Sequence, residues 1–223
     1  MPIPPEYLKE IPYFNGLDEA AIDSLGKYVF EKKAERGEII SFEGETPEAI
    51  YIVVEGVVKT YKTSADGKEQ IFRIVRPGGT FNDAPVLLND VNFISAEAMG
   101  PVTLLGIKTP DIGKIVEENP VVGRNAVTVL AKRVQALVAL VQDFSFLHVT
   151  GRVAKMLLEH AGHDSASGPR LTQQEMAAMI GTAREMVGRS LKNLEEEGVI
   201  RIEKGRITVT DEKELKRMAG VDA

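Results

Sequence analysis

Residues 171–192 read LTQQEMAAMIGTAREMVGRSLK and constrain the fold more than any other stretch of the chain. Two short amphipathic helices meet here at Gly181, and the second begins at about Ala183. It carries Arg184, Glu185 and Arg189 on one exposed stripe, the spacing of a helix-turn-helix. An arginine fork matches the O6/N7 edge of guanine, which suits Arg184 and Arg189, and a carboxylate such as Glu185 accepts from the cytosine amino group. Beyond Gly198, VIRIEKGRITVT reads as two strands around Lys204-Gly205, and a hairpin directly after such a helix makes a winged helix. Double-stranded DNA is therefore the expected partner.

Charge tests that expectation. The net charge is −6, the wrong sign for a ligand of phosphates. Residues 149–223, however, hold 12 Lys+Arg and 12 Asp+Glu, leaving 15 against 21 in residues 1–148. The acidic excess belongs to the N-terminal part, and binding rests on local clustering of cations. Salt should weaken it by counterion release.

The N-terminal part has a different texture. Asp18 is placed to cap a helix over EAAIDSLGKYV, whose Ala21, Ile22, Leu25 and Val29 recur at helical spacing. From residue 37 to 108, short apolar runs such as YIVVEGVVKTYK are punctuated by glycines, and Asp66-Gly67 between Tyr61 and Ile71 signals a hairpin. Strands with turns every ten or so residues predict a β-sandwich or barrel-like roll. TPDIGKIVEEN reads as a short helix, and Asn119-Pro120 opens a long one that runs to about Phe146. Along it Val127, Leu130, Val134, Leu137, Val141 and Phe144 alternate at steps of three and four, with Val at a and Leu mostly at d. That seam favours a parallel two-stranded coiled coil. Ala126, Ala136 and Leu140 make a second apolar face. His148 to Thr150 interrupts the helix, GRVAKMLLEHAG resumes it, and a further short helix is expected from about Asp211. The predicted class is α+β in three segments: a roll with flanking helices over 1–118, a central dimerisation helix over 119–147 and a winged helix over 148–223.

Several classes are excluded. There is no cysteine, hence no disulfide, thiol switch or cysteine-held iron–sulfur cluster. His148, His160 and His163 are the only histidines, too few and too scattered for a catalytic zinc site. His148 reads as a capping or packing residue, and His160 and His163 as exposed polar positions rather than a metal pair. No apolar run reaches the ~20 residues of a membrane span, and the N-terminus lacks a signal peptide's basic and apolar regions, so a cytoplasmic protein is expected. No nucleophile–base pair is apparent, and PGG is too short for a phosphate loop, so no enzyme and no catalytic residue is expected.

The whole chain resembles the Crp/Fnr family of bacterial transcription regulators. FNGLDEAAIDSL looks like its entry helix, and GEIISFEGETPEAIYIVVEGVVKTYK like the start of its cyclic-nucleotide-binding-type β-roll, a jelly-roll-like double sheet. FLHVTGRVAKMLL resembles its hinge, and TQQEMAAMIGTAREMVGRSLKNLEEEGVI its helix-turn-helix. The resemblance implies a homodimer joined by the long helices, an effector-sensing roll, and RNA polymerase as a further partner. It implies that Arg184, Glu185 and Arg189 read bases of a TGTGA half-site, in a palindrome close to TGTGA–six bases–TCACA. Thr150, Thr172, Gln173, Lys204 and Arg206 are the expected phosphate contacts, since hinge, turn and wing lie beside the backbone. Glu195 to Glu197 read as a solvated helix end.

The sensor departs from the family. Where nucleotide-binding members carry a Gly-Glu pair and a downstream arginine, this chain has Asn82 and Asp83, with Phe93 or Ile94 in the arginine's place. Leu137 and Val138 replace hydroxyl-bearing residues that meet the nucleotide base. These changes remove the charged partner of a cyclic phosphate and argue against cyclic AMP. Heme is disfavoured too, because no histidine precedes His148 and only Met99, a tyrosine or the amino terminus could ligate iron. What remains is a small effector, apolar or aromatic or of unidentified chemistry, held by Asn82, Asp83, Phe93, Ile94, Leu137 and Val138, or no effector at all. Arg73, before the PGG turn, reads as a surface arginine, with a displaced cation for the sensor as the alternative. The competing functional reading is a constitutive DNA-binding protein whose roll only dimerises.

Overall fold

A computed structural model describes residues 5–160, 171–203 and 206–221. The described residues divide into two compact units. One comprises residues up to 62 together with 72–135, and the other 63–71 together with those from 136 onward.

The first unit opens with helices α1 (Pro5–Lys9) and α2 (Glu19–Leu25), the latter capped by the Asp18 carboxylate, which accepts from Ala21 N at 2.8 Å. The helix is shorter than its spacing predicts. Val29 begins strand β1 (Val29–Ala34) and pairs with Ile107, so strand pairing overrides the local helical period. There follow β2 (Ile39–Ser41), β3 (Ala49–Glu55), β4 (Val58–Thr63), β5 (Glu69–Val75), β6 (Thr80–Phe81), α3 (Asp83–Leu88), β7 (Ser95–Ala98) and β8 (Val102–Lys108). The hairpin between β4 and β5 turns at Gly67, as its Asp-Gly pair predicts. Two four-stranded sheets result, ordered β1-β8-β3-β6 and β2-β7-β4-β5.

Between them lies an apolar core of Tyr51, Val53, Val58, Val75, Phe81, Ala96, Ala98 and Leu104. The opposite side of β3 and β8, with Ile52, Leu105 and Ile107, packs under α1, α2, α4 (Thr109–Glu118) and the start of α5 (Pro120–Phe146). Both faces of β3 are thus buried, which is why its sequence runs apolar without alternation. Gly106 lets the Phe30 ring lie on the sheet: a Cβ there would sit 2.3 Å from the ring. Phe30 meets Tyr51 edge-on, and Tyr51 stacks on Phe81 at 5.3 Å.

The second unit takes the C-terminal part of α5, then α6 (Val149–His160), α7 (Gln173–Ile180), α8 (Arg184–Glu196), β9 (Ile200–Glu203), β10 (Arg206–Val209) and α9 (Glu212–Met218). Val153, Met156, Ala177, Ile180, Val187, Leu191, Leu194, Ile200 and Leu215 form its core. Only Leu147 and His148 separate α5 from α6, so Thr150 sits within a helix rather than in the interruption. Arg152 spans that break: Nη1 donates to Leu147 O at 2.8 Å, Nε to Ile180 O at 3.0 Å, and the guanidinium lies over the Phe144 ring. The unit boundary falls inside α5, where Val122 and Ala126 are buried while the seam residues from Val134 onward are exposed.

Candidate functional site

The helix-turn-helix is built by local rules. Thr172 caps α7 with a full capping box: its hydroxyl accepts from Glu175 N at 3.1 Å, and the Glu175 carboxylate accepts from Thr172 N at 2.6 Å. Gly181 ends α7 with φ +65°, a conformation that favours glycine. Helix α8 then buries Val187, Ser190, Leu191 and Leu194. Its other side exposes Glu185 and Arg189, and its first residue, Arg184, is exposed at the helix start; none of the three has a hydrogen-bond or ion-pair partner among the described residues. Lys192 continues the stripe, paired with Glu196 at 3.5 Å. The three residues that the spacing singles out are therefore free to meet an outside partner, and Glu185 also favours the positive end of its helix.

The expected phosphate contacts are placed unequally. Gln173 and Arg206 are exposed, and Thr172 is exposed at its cap. The Thr150 hydroxyl shares a hydrogen bond of 3.1 Å with the buried Ser190, so it is already tied to α8. Lys204, and with it the tip of the wing, lies outside the described residues, as does His163. His160 Nδ1 lies 2.9 Å from Met156 O. Glu195 to Glu197 are exposed, as a solvated helix end is, and Glu195 also accepts from Ile202 N at 2.8 Å, tying the wing to α8.

On α5 the seam is an exposed apolar stripe, with Val127, Val134 and Val141 each about 60% or more exposed and Leu137 and Phe144 less so. Leu130 is half-buried. A stripe of this kind on a described helix is unusual without a cover.

The first unit contains a second cluster, at the start of α3. Asp83 is 1% exposed and its carboxylate is saturated. Tyr13 Oη donates to Oδ2 at 2.7 Å, Thr80 Oγ1 to Oδ2 at 3.0 Å, Ala84 N to Oδ1 at 3.1 Å, and Arg133 Nη1 pairs with Oδ1. Arg133 Nη2 also reaches Thr80 O and Oγ1, at 3.1 and 2.7 Å. Burial pushes the Asp83 carboxyl up, but the Arg133 bond and charge, with the two hydroxyls, outweigh it and hold the group below the ordinary carboxylate value. Burial, and then the Asp83 charge, raise the Tyr13 phenol well above its ordinary value, so it stays a donor. Asn82 is buried in the left-handed region at φ +63°, and its Oδ1 accepts from Ser41 at 3.1 Å. Phe93 is 47% exposed, Ile94 half-buried, and Leu137 and Val138 are exposed.

Tyr13, Thr80 and Arg133 carry this cluster, and sequence reasoning missed all three. Arg133 had a signal. Val122, Ala126 and Val129 recur at steps of four and three on the buried side of α5, and Arg133 is the next residue on that side. A cation on a buried stripe asks for a buried anion. Tyr13 had none, since its partner lies 70 residues away. Arg73 is not the surface arginine its position suggests: it is half-buried, and Nη2 donates to Thr80 O at 3.3 Å.

Comparison with known proteins decides what carries these two clusters. Residues 31–119 match the model of the cyclic nucleotide-binding domain, and residues 151–218 that of the Crp-like helix-turn-helix domain. The cAMP-activated global transcriptional regulator CRP of Pasteurella multocida is 32% identical over 165 residues, 70% of this chain and 78% of that protein. The chain belongs to the Crp/Fnr family. The cyclic AMP receptor protein of Thermus thermophilus is similar along nearly the whole length, 29% identical over 212 residues, 95% of this chain and 98% of its own. The fold is also that of FixK2 from Bradyrhizobium japonicum, with a TM-score of 0.77 at 23% identity over 87% of this chain and 99% of that one. As a Crp/Fnr protein the chain is a transcription regulator with a DNA-binding helix-turn-helix, and not an enzyme. No described helix is long and apolar enough to cross a membrane. In the roll, the Asp83 carboxylate at the start of α3 is committed to Arg133.

Proposed function

We propose that this Crp/Fnr protein is a ligand-responsive regulator that binds, as a homodimer, a palindrome close to TGTGA–six base pairs–TCACA. The observation that carries the reading is the exposed, unpartnered set Arg184, Glu185 and Arg189 on α8. Each arginine takes a guanine O6/N7 edge, and Glu185 a cytosine amino group. Thr150, Thr172, Gln173, Lys204 and Arg206 orient the domain on the backbone. The apolar stripe of α5 supports the dimer, since Val at a and Leu at d suit two parallel strands. Two recognition helices one DNA turn apart, about 34 Å, match the half-site spacing. RNA polymerase is the further partner through which such binding acts on transcription.

The effector works by population shift. It binds two dimer states with different affinity, and the break at Leu147–His148, held by Arg152, is where the DNA-binding unit re-aims. Relatives named for cyclic AMP activation point to a ligand in the roll, and the residues of this roll point away from cyclic AMP held in the same manner.

Fluorescence anisotropy on a labelled duplex tests the DNA reading. The protein should bind the TGTGA palindrome well above a scrambled duplex. Arg189→Ala should cost about 1–3 kcal/mol at one base pair and relax specificity there. A uniform loss on every sequence would refute the base-reading role.

A further inference from the structure

We infer that Arg73, beside Arg133 over the Thr80 carbonyl, is the anchor for the anionic group, carboxylate or phosphate, of a small effector. This deepens the reading of the roll as a sensor, and rests on it.

Strand direction places the residue. Along β5, Ile71, Arg73 and Val75 share one face, and Ile71 and Val75 are buried, Val75 in the core between the sheets. Arg73 therefore lies on the inner face of an edge strand. Its Nη2 crosses to Thr80 on β6, the edge strand of the other sheet, so the side chain spans the open side of the roll. Arg133 reaches the same carbonyl from α5.

Charge is unbalanced there. The cluster has two guanidiniums and one carboxylate, and Asp83 is already saturated by Arg133, Tyr13, Thr80 and Ala84 N. Arg73 has no ion pair among the described residues, and of its five N–H donors only one finds a protein acceptor. Burial, and then the charge of Arg133, both work against its cation. An arginine cannot relieve this by losing a proton, so the site gains most from an anion. A guanidinium fork takes a carboxylate or phosphate through two parallel bonds.

A second observation points the same way. Asn82, two residues after Thr80, is 8% exposed, and its Nδ2 is buried without a partner. Its Oδ1 is used by Ser41, so what it offers is a donor. A buried orphan donor is costly and asks for an acceptor. Unused donors on Arg73 and on Asn82, two residues beyond the Thr80 that Arg73 touches, and an Asp83 whose carboxylate is already paired suit an oxyanion bearing about one net charge.

The full-length protein tests this by calorimetric titration with four probes, each against sodium chloride at equal ionic strength: succinate and benzoate for carboxylates, inorganic phosphate and cyclic AMP for phosphates. At least one class should bind, and the class that does names the source. Arg73→Gln should weaken that binding ~10-fold or more, the loss of one charge-assisted anchor, while Arg73→Lys keeps part of it. Without added anion, Arg73→Gln should melt at or above the wild-type temperature, because a like charge has been removed. The inference is overturned if no probe binds beyond chloride, if Arg73→Gln binds as well as wild type, or if Arg73→Gln melts lower without anion, which would make Arg73 a structural prop. Wild-type protein that binds the palindrome but no probe overturns this inference alone. Protein that binds a probe but not the palindrome upholds it and overturns the DNA reading.

Discussion

Replacing Arg133 by methionine keeps most of the side-chain volume and removes the charge that neutralises Asp83. The carboxylate it leaves is 1% exposed. Breaking a buried pair from one side costs about 3–5 kcal/mol, because the remaining charge is uncompensated. The lower end applies here, since Tyr13, Thr80 and Ala84 N still donate to Asp83 and Arg73 lies against the same Thr80 carbonyl. A loss of ~3 kcal/mol corresponds to a fall in melting temperature of about 10 °C for a unit of this size. Urea titration followed by far-ultraviolet circular dichroism and by tyrosine emission, unmasked in a chain without tryptophan, measures it. The double variant Asp83→Asn with Arg133→Met should recover at least ~1 kcal/mol relative to Arg133→Met alone, because the orphaned charge is gone. If Arg133→Met costs under ~1 kcal/mol, or the double variant is simply additive, Asp83 and Arg133 are not a coupled buried pair.

Acid offers a second view of the same pair. The folded carboxyl of Asp83 lies below its unfolded value, so its contribution to stability is fully present above pH ~4 and is lost as pH falls further. Asp83→Asn should flatten that acid limb in a series of melts, and an unchanged limb would refute the assignment. On the central helix, Val134→Lys should split the dimer in sedimentation experiments while leaving the monomer's melting nearly unchanged, as Val134 is 59% exposed. Thr172→Ala should remove the capping box and cost ~1 kcal/mol, seen as faster amide exchange in α7. Arg184→Ala should weaken binding to the TGTGA duplex by about 1–3 kcal/mol and little on a duplex changed at the contacted base pair.

Local structure was readable wherever its cause is local. Asp18, Gly67, Thr172 and Gly181 do their work within three or four residues, so cap and turn residues announced α2, the β4–β5 hairpin and the helix-turn-helix. The exposure of α8 was legible for the same reason, since helical geometry puts Glu185 and Arg189 on the side opposite Val187, Leu191 and Leu194, while Arg184 is exposed as the first residue of the helix. Reading failed where strands intervened. The helical period through Val29 lost to pairing with Ile107, a partner 78 positions away; β3, by contrast, was read as a strand although both its faces are buried.

The roll shows the division most clearly. Sequence alone determined that an asparagine and an aspartate occupy positions 82 and 83, and that no arginine stands at 93 or 94. Those identities are the ground for proposing that this roll does not grip a cyclic phosphate in its family's manner. They did not say where the cations are. Only tertiary structure brought Tyr13, Arg73, Thr80 and Arg133 around Asp83, from an N-terminal turn, two sheet edges and the central helix. The reason is physical: a charge taken out of water must be matched within a few ångströms in space, and separation along the chain carries no information about that distance.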